Sequence, residues 1–183
     1  LLKTLFPEQK EPDLPQNSDD LQASIFDLEE EKSSAEIEEI DASSLTEKNP
    51  LIAVFDKSFY VLFEGKPFRL VGETENYLRS VEPIVCDYKS YLHAFHDVFG
   101  DFKNVKVSLD LFLAAYVINS HDNTMTISRL ALIYLKKVAS RNADSDPCET
   151  LLLMKDLAPV VRDALERSSV RDLYYETELP LAY

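Results

Sequence analysis

The stretch LIAVFDKSFYVLFEGKPFRLV, residues 51–71, contains three runs of aliphatic and aromatic residues separated by two short polar breaks. The runs occupy residues 51–55, 59–63 and 67–71, and each has the length and the Val, Ile, Phe or Tyr content typical of a strand. The second break contains Gly65, the residue type that a tight hairpin needs. The stretch therefore predicts three consecutive antiparallel strands.

Downstream of these strands, helical and strand patterns alternate. A short helix is expected after Thr74, and residues 83–86 have the pattern of a brief buried strand. Apolar residues at helical spacing then run from Leu92 to Phe99 and stop at Gly100, which is typical of the residue that follows a helix. The pattern predicts an amphipathic helix there.

The next segment repeats the alternation. Residues 105–109 alternate apolar and polar side chains as a strand does, and Asp110 can cap an apolar helix over residues 111–118. Thr126 can likewise cap a helix that reaches Val138.

The last helical region has the clearest start signal, with Asp146 as N-cap, Pro147 at the first helical position and Glu149 in the first turn. Pro159 predicts a kink or break, and a final amphipathic stretch meets Pro180. The whole order, β-β-β-α-β-α-β-α-α-α, predicts an α/β domain with a mixed sheet and helices packed around it.

Residues 1–48 differ sharply from the rest. They are rich in Pro, Glu, Asp, Ser and Gln and show no sustained helical or strand periodicity. Residues 1–50 carry 14 acidic and 4 basic groups, against 19 and 15 in the rest of the chain. We therefore expect residues 1–48 to be an acidic, disordered linker and residues 49–183 to form the domain.

The composition argues against several classes of protein. The longest apolar run, residues 111–118, is far shorter than the roughly 20 residues that span a bilayer, and no signal or transit peptide is expected. Cys86 and Cys148 lack the spacing of a zinc site or a redox pair. Because neither half of the chain has a basic excess, we expect weak nucleic-acid binding or none.

Four segments carry a resemblance to a known family. Residues 107–119 (VSLDLFLAAYVIN) resemble the phrase FDTMLAAYLLNP of the 3′-to-5′ exonuclease domain of bacterial DNA polymerase I. Residues 84–93 (IVCDYKSYLH) look like that family's VGQNLKYDLH, and residues 127–135 (ISRLALIYL) are similar to LDALAEEYL. Residues 173–181 (LYYETELPL) resemble LYREVELPL, the helix that leads into the polymerase domain. The resemblance covers about residues 50–183.

The resemblance implies a ribonuclease-H-like fold and two-metal hydrolysis of a phosphodiester. That chemistry needs several convergent carboxylates to hold two divalent ions. Aligned with the family's motifs, Asp56 matches the leading aspartate, whereas Ser58 stands in place of the glutamate and Tyr91 in place of the second aspartate. On the late helix, Leu152 replaces the water-orienting tyrosine and Asp156 retains the aspartate. We therefore expect no bound metal and no nuclease activity.

Each of these residues also has an ordinary structural explanation. Asp56 suits a turn at the end of a strand, and Asp156 suits a solvated helix face, although both could take part in residual single-metal binding. Asp110 is expected to cap a helix rather than to catalyse. His93 and His96, with Asp97 beside them, could form half a metal site but lack further ligands, so a solvated helix face is the favoured interpretation.

Three hypotheses for function follow. The leading one is an inactive exonuclease domain that gives structural support within a cytoplasmic bacterial DNA polymerase I, with the linker as a tether from a preceding 5′-nuclease domain. The resemblance implies that the domain itself needs no cofactor, that Mg²⁺ serves the parent polymerase, and that DNA is bound through that parent; a monomer is expected. The alternatives are a still-active metal-dependent proofreading exonuclease, with Glu64 or Asp87 as unplaced ligands, and a protein-interaction module that uses the acidic tail.

Overall fold

The computed structural model describes residues 37–121 and 125–182. Its main sheet has four strands: β1 (Glu39–Asp41), β2 (Ile52–Phe55), β3 (Ser58–Phe63) and β4 (Lys66–Val71), in the order β1-β4-β3-β2. β2, β3 and β4 are antiparallel neighbours, as the sequence predicts, and β1 adds a parallel edge strand. The sheet is therefore mixed.

Both hairpin turns depend on backbone with positive φ. Asp56 and Lys57 have φ values of 46° and 62°, and Glu64 and Gly65 have values of 49° and 80°. Two successive residues with positive φ match the twist of the flanking strands and are typical of two-residue hairpins. At β4's end, Gly72 has φ 74°, and an added Cβ would lie 2.7 Å from an oxygen of Asp41. Glycine is required there.

A second pair of parallel strands, β5 (Ile84–Val85) and β6 (Leu109–Asp110), extends this architecture. A parallel bridge between Leu51 and Ile84 joins β5 to the start of β2. The carboxyl ends of β2, β5 and β6 therefore lie at the same edge.

Helices cover both faces of the sheet. They are α1 (Thr74–Ser80), α2 (Tyr88–Phe99), α3 (Leu111–Ile118), α4 (Ile127–Leu130), α5 (Pro147–Glu166), α6 (Arg171–Leu173) and α7 (Leu179–Leu181). One 3₁₀ turn (Ala42–Ser44) and two π-helical turns (Ala131–Leu135 and Tyr174–Glu178) complete the described elements. No helix in the described ranges is long and apolar enough to cross a membrane.

Strand alternation separates the apolar side chains into two clusters. Ile52 on β2 packs in one cluster with Phe95 of α2, whereas its neighbour Ala53 packs in the other with Met154 of α5. Because successive strand residues point to opposite faces, a single sheet serves both cores. The result is an α/β domain with helices on both sides of a mixed sheet.

The structure corrects the predicted start of the domain. Glu39–Asp41 pair with β4, and Ala42 and Leu45 are buried, although all of them fall in the predicted linker of residues 1–48. The acidic composition gave no strand signal here, because an edge strand needs few apolar side chains. Residues 1–36 lie outside the described residues.

The structure contradicts most of the strand predicted over residues 105–109 and the break predicted at Pro159. Val105 and Val107 are buried but do not belong to a strand, since only residues 109 and 110 have partners on β5. Pro159 lies inside α5, which continues from Pro147 to Glu166. The missing N–H of Pro159 removes one hydrogen bond, while the buried residues Leu157, Ala158 and Val161 hold the helix against the core on either side.

The helix that Thr126 caps is also shorter than predicted. Thr126 accepts a hydrogen bond from the N–H of Arg129 at 3.2 Å, but the helix ends in a π turn at Leu135. Lys136 then adopts a left-handed conformation with φ 56°, and Val138 is 87% exposed. A π turn shifts side chains out of the α-helical period. The apolar spacing in the sequence therefore predicted a helix that continues past its real end at Leu135.

Candidate functional site

A cleft of 260 Å³ lies at the edge of the sheet where β2 and β5 end. Ligands in α/β proteins commonly bind outside the carboxyl ends of strands, so this is the natural place to look for a site. Most of its lining is apolar, and the polar contribution comes mainly from two carboxylates and three hydroxyls. The lining residues are Ile52, Ala53, Val54, Phe55, Val85, Cys86, Asp87, Ser90, Tyr91, Phe112, Ile127, Asp144 and Thr150.

The carboxylates at this cleft are engaged by main-chain amides. Asp87 caps α2, accepting hydrogen bonds from the N–H of Lys89 at 3.0 Å and from the hydroxyl of Ser90 at 2.6 Å. Asp144 accepts from the N–H of Ser128 at 3.1 Å. Asp144 could not be singled out from the sequence, because nothing in a polar loop distinguishes one aspartate from its neighbours.

Asp110 is the most buried carboxyl group near the cleft, with 4% of the residue exposed. It accepts hydrogen bonds from the N–H of Leu113 at 3.0 Å and of Tyr88 at 2.9 Å, so it caps α3 and holds the start of α2. Burial raises the pKa of Asp110 to about 7, even though these amide bonds favour the charged form. The predicted capping role is confirmed.

Tyr174 fastens the C-terminal segment to the same place. Its hydroxyl accepts a hydrogen bond from the N–H of Asp110 at 2.9 Å and lies 3.2 Å from the carbonyl oxygen of Asp110, to which it donates. The residue is fully buried. A single side chain thus satisfies both main-chain groups at the end of β6.

Cys86 is a free thiol in the wall of the cleft. Burial raises its pKa, and the carboxyl groups of Asp110, Asp87 and Asp144 raise it further. Because the thiolate is the nucleophile of cysteine chemistry, this environment makes Cys86 an inert thiol.

The first predicted site residues lie at a hairpin turn. Asp56 is exposed in the turn between β2 and β3, and Ser58 begins β3, paired with Phe55. Next to them, the Nζ atom of Lys57 lies 3.2 Å from a carboxylate oxygen of Asp97 on α2. A cation therefore lies beside the first candidate ligand.

Tyr91 lies in the apolar core, with 1% of the residue exposed. Its ring makes edge contacts with Phe59, 5.9 Å between centroids, and packs at a tilt against Phe95. Its hydroxyl has no hydrogen-bond partner among the described residues. The position that the resemblance assigns to an aspartate is thus occupied by a buried, aromatic contact.

The two candidates on α5 lie on its solvent side. Leu152 is 43% exposed, and Asp156 pairs with Lys137 at 3.5 Å with both side chains about half exposed. Of the five predicted remnants, only Tyr91 lines the cleft. The structure therefore does not gather Asp56 and Asp156 at the cleft.

His96 of α2 likewise has other neighbours. The ring of His96 lies 6.1 Å from that of Phe102, and its Nδ1 atom lies 4.0 Å from Asp97, which pairs with Lys57. Within residues 37–121 and 125–182, no three His, Cys, Asp or Glu side chains are arranged to hold a metal ion.

Comparison with known proteins identifies a fold. No family model and no curated protein matches the sequence. A solved structure described as the POL domain of Pol1 from M. smegmatis, in complex with DNA primer-template and dNTP, is 21% identical with a TM-score of 0.54. It covers 69% of this chain, while this chain spans only 24% of that one. A structure described as the apo form of a nuclease is 11% identical with a TM-score of 0.51, covering 80% of this chain and 86% of its own.

These similarities, together with the mixed sheet and its flanking helices, confirm the expected α/β, ribonuclease-H-like fold. They associate the chain with the folds of DNA polymerases and nucleases.

Proposed function

We propose that this chain is an inactive 3′-to-5′ exonuclease domain that gives structural support within a DNA polymerase of the polymerase I type. The observation that carries the proposal is Tyr91. Where the resemblance requires a carboxylate ligand, a phenol ring is packed against Phe59 and Phe95.

Electrostatics supports the same conclusion. Two Mg²⁺ ions need several anionic oxygen ligands to offset their dehydration. The two retained carboxylates are exposed on different elements, and lysines lie close to both, since Lys57 adjoins Asp56 and Lys137 pairs with Asp156. These cations reduce the negative potential that a divalent ion would require.

In this proposal the contribution of the domain is spatial. Within the predicted linker, residues 1–48, the part that precedes β1 would tether the domain to a preceding 5′-nuclease domain. DNA would be bound, and Mg²⁺ used, by the polymerase part of the parent protein. The domain would act as a monomeric spacer in replication and repair in the bacterial cytoplasm.

A nuclease assay tests the proposal. The purified chain is incubated with 5′-labelled single-stranded DNA and Mg²⁺ or Mn²⁺, beside an active exonuclease in the same buffer. We expect full-length DNA to persist. Shortening of the DNA that disappears in Asp156→Asn or Asp56→Asn would overturn the proposal.

An active exonuclease with a different ligand set is the second candidate, because the cleft brings Asp87 and Asp144 together. In that case the double substitution Asp87→Asn and Asp144→Asn would abolish digestion. Asp163→Asn, on an exposed turn of α5 where Asp163 pairs with Arg167, is the matched control. Digestion that survives the double substitution would exclude this candidate.

A further inference from the structure

A second and larger recess lies along α2, from Tyr88 to Gly100, and is closed by the loop that follows the helix. It has a volume of 490 Å³, within the roughly 300–1,000 Å³ range of small-molecule sites. α2 forms one wall and the loop that follows it forms the other. The lining residues are Tyr88, Leu92, His96, Gly100, Asp101, Phe102, Lys103, Asn104, Val105 and Lys106. We refer to it as the α2 pocket.

The loop of the α2 pocket is held by its own hydrogen bonds. The carboxylate of Asp101 accepts from the N–H of Lys103 at 3.0 Å, and the N–H of Val105 donates to the carbonyl of Phe102 at 3.2 Å. Asn104 adopts φ 62°, a conformation that asparagine tolerates better than most residues. These bonds define a tight turn with Lys103 near its tip.

Two side chains from outside the loop fix it to the domain. Arg79 donates to the carbonyl of Lys103 at 2.6 Å and to the carboxylate of Asp101 at 3.0 Å. The hydroxyl of Tyr88 donates to the carbonyl of Val105 at 2.8 Å. The pocket is therefore formed without a ligand, which lowers the entropic cost of binding one.

The charges of the α2 pocket differ from those of the cleft. Its one carboxylate, Asp101, is already paired with Arg79, and Asp97 nearby is paired with Lys57. Lys103 and Lys106 line the pocket, and neither ammonium group has a hydrogen bond or ion pair within the described residues. Both ammonium groups are thus available to a ligand, although the charge of Lys103 also helps to lower the pKa of Asp101.

The uncharged part of the pocket is apolar and aromatic. Leu92 and Val105 are buried and form its floor. Phe102 is 43% exposed and lies beside the ring of His96, at 6.1 Å between centroids. An exposed aromatic ring next to two amines suits a planar ring that carries an anionic group, because the ring can stack while the anion meets the ammonium groups.

We propose that the α2 pocket binds a small planar aromatic anion of the size of a nucleoside monophosphate. Phe102 provides the stacking surface, Leu92 and Val105 the apolar floor, and Lys103 and Lys106 the anion contacts. The inference concerns a different surface from the cleft and does not depend on the proposed function.

Titration of the isotopically labelled 183-residue chain with deoxyadenosine monophosphate, followed by amide NMR shifts, tests the proposal. We expect saturable shifts confined to the loop and the adjoining turns of α2. Deoxyadenosine and inorganic phosphate, titrated separately, should each bind at least about tenfold more weakly, because each lacks one half of the recognition.

Substitutions distinguish the site from general attraction to basic surface. Lys103→Gln with Lys106→Gln should weaken binding about tenfold, and Phe102→Ala at least about fivefold. The control pair Lys66→Gln and Lys89→Gln makes the same charge change on exposed lysines outside the pocket and should leave the affinity unchanged. Unchanged melting temperatures establish that all variants are folded.

Four outcomes would overturn the proposal. The first three are no saturable shift up to about 10 mM ligand, shifts centred on Asp87 and Asp144 instead of the loop, and equal weakening by the control pair. Binding of phosphate alone as tightly as the nucleotide would also overturn it, since the aromatic ring would then contribute nothing.

Discussion

The two recesses that α2 borders use their charges differently. At the cleft, Asp87, Asp110 and Asp144 all accept hydrogen bonds from main-chain amides, so their charge serves the fold. At the α2 pocket, Arg79 neutralises the carboxylate and leaves two lysines without partners among the described residues. A group of acidic residues in a cleft is therefore weak evidence for a metal site when each carboxylate already accepts hydrogen bonds that cap a helix or a turn.

The strongest test of the cleft is to restore the missing ligand. Tyr91→Asp should lower the free energy of unfolding by about 4 kcal/mol or more, because it leaves a cavity and buries a carboxylate. Urea unfolding measures the change. Leu152→Asp, on the exposed face of α5, is the control and should cost less than about 1 kcal/mol. Similar losses for both variants would contradict the interior position of Tyr91.

The carboxyl group of Asp110 gives the cleft side a pH dependence. Burial raises its pKa from 3.8 to about 7, so between these values the folded chain holds a proton that the unfolded chain has lost. Its contribution to stability is complete below pH 4 and is lost as the pH rises through 7, by at most about 1.4 kcal/mol per pH unit.

Asp110→Asn removes this titration. The unfolding free energy of the variant relative to the parent should therefore increase from pH 4 to pH 7 and level off above that, as followed by urea unfolding at each pH. Two curves that stay parallel across the window would show that Asp110 is ionised throughout.

Tyr174→Phe tests the attachment of the C-terminal segment. It removes two hydrogen bonds to the main chain of Asp110 and leaves a buried N–H without a partner, so we expect a loss of about 1–2 kcal/mol in thermal or urea unfolding. Tyr116→Phe makes the same change at an exposed position and should have almost no effect. An equally small effect for Tyr174→Phe would contradict the observed bonds.

The smallest expected changes in the free energy of unfolding come from substitutions of two tyrosines of α2. Tyr88→Phe removes the bond to the carbonyl of Val105 and should cost about 1 kcal/mol. Tyr91→Phe removes a buried hydroxyl without a partner and should be neutral or stabilising by up to about 1 kcal/mol. The sign of the difference, measured by urea unfolding, decides whether the hydroxyl of Tyr91 is unsatisfied; a loss equal to that of Tyr88→Phe would show that it is bonded.

Local sequence signals predicted much of the fold. Three strands, the hairpin glycine and the caps at Asp110, Thr126 and Asp146 depend on neighbouring residues, and the structure has all of them. The strand β1 could not be predicted, because its stability comes from pairing with β4, 30 residues away along the chain from Glu39 to Arg69. The break predicted at Pro159 is absent for a related reason, because the packing of α5 against the core outweighs one missing hydrogen bond.

Less of the candidate site could be predicted from the sequence. A motif alignment could indicate that Tyr91 and Leu152 replace ligands, but it could not show that one is buried in the core and the other faces solvent. The α2 pocket had no signal at all, because it arises from Arg79 holding a loop more than 20 residues downstream. Such contacts between distant residues exist only after folding.

The hydroxyl of Tyr174 has a practical consequence for anyone who shortens this protein. A chain that stopped at Glu166, where the long helix ends, would lack Tyr174. The N–H and the carbonyl of Asp110, at the end of β6, would then be left without hydrogen-bond partners in the apolar interior. We expect such a truncated version to precipitate.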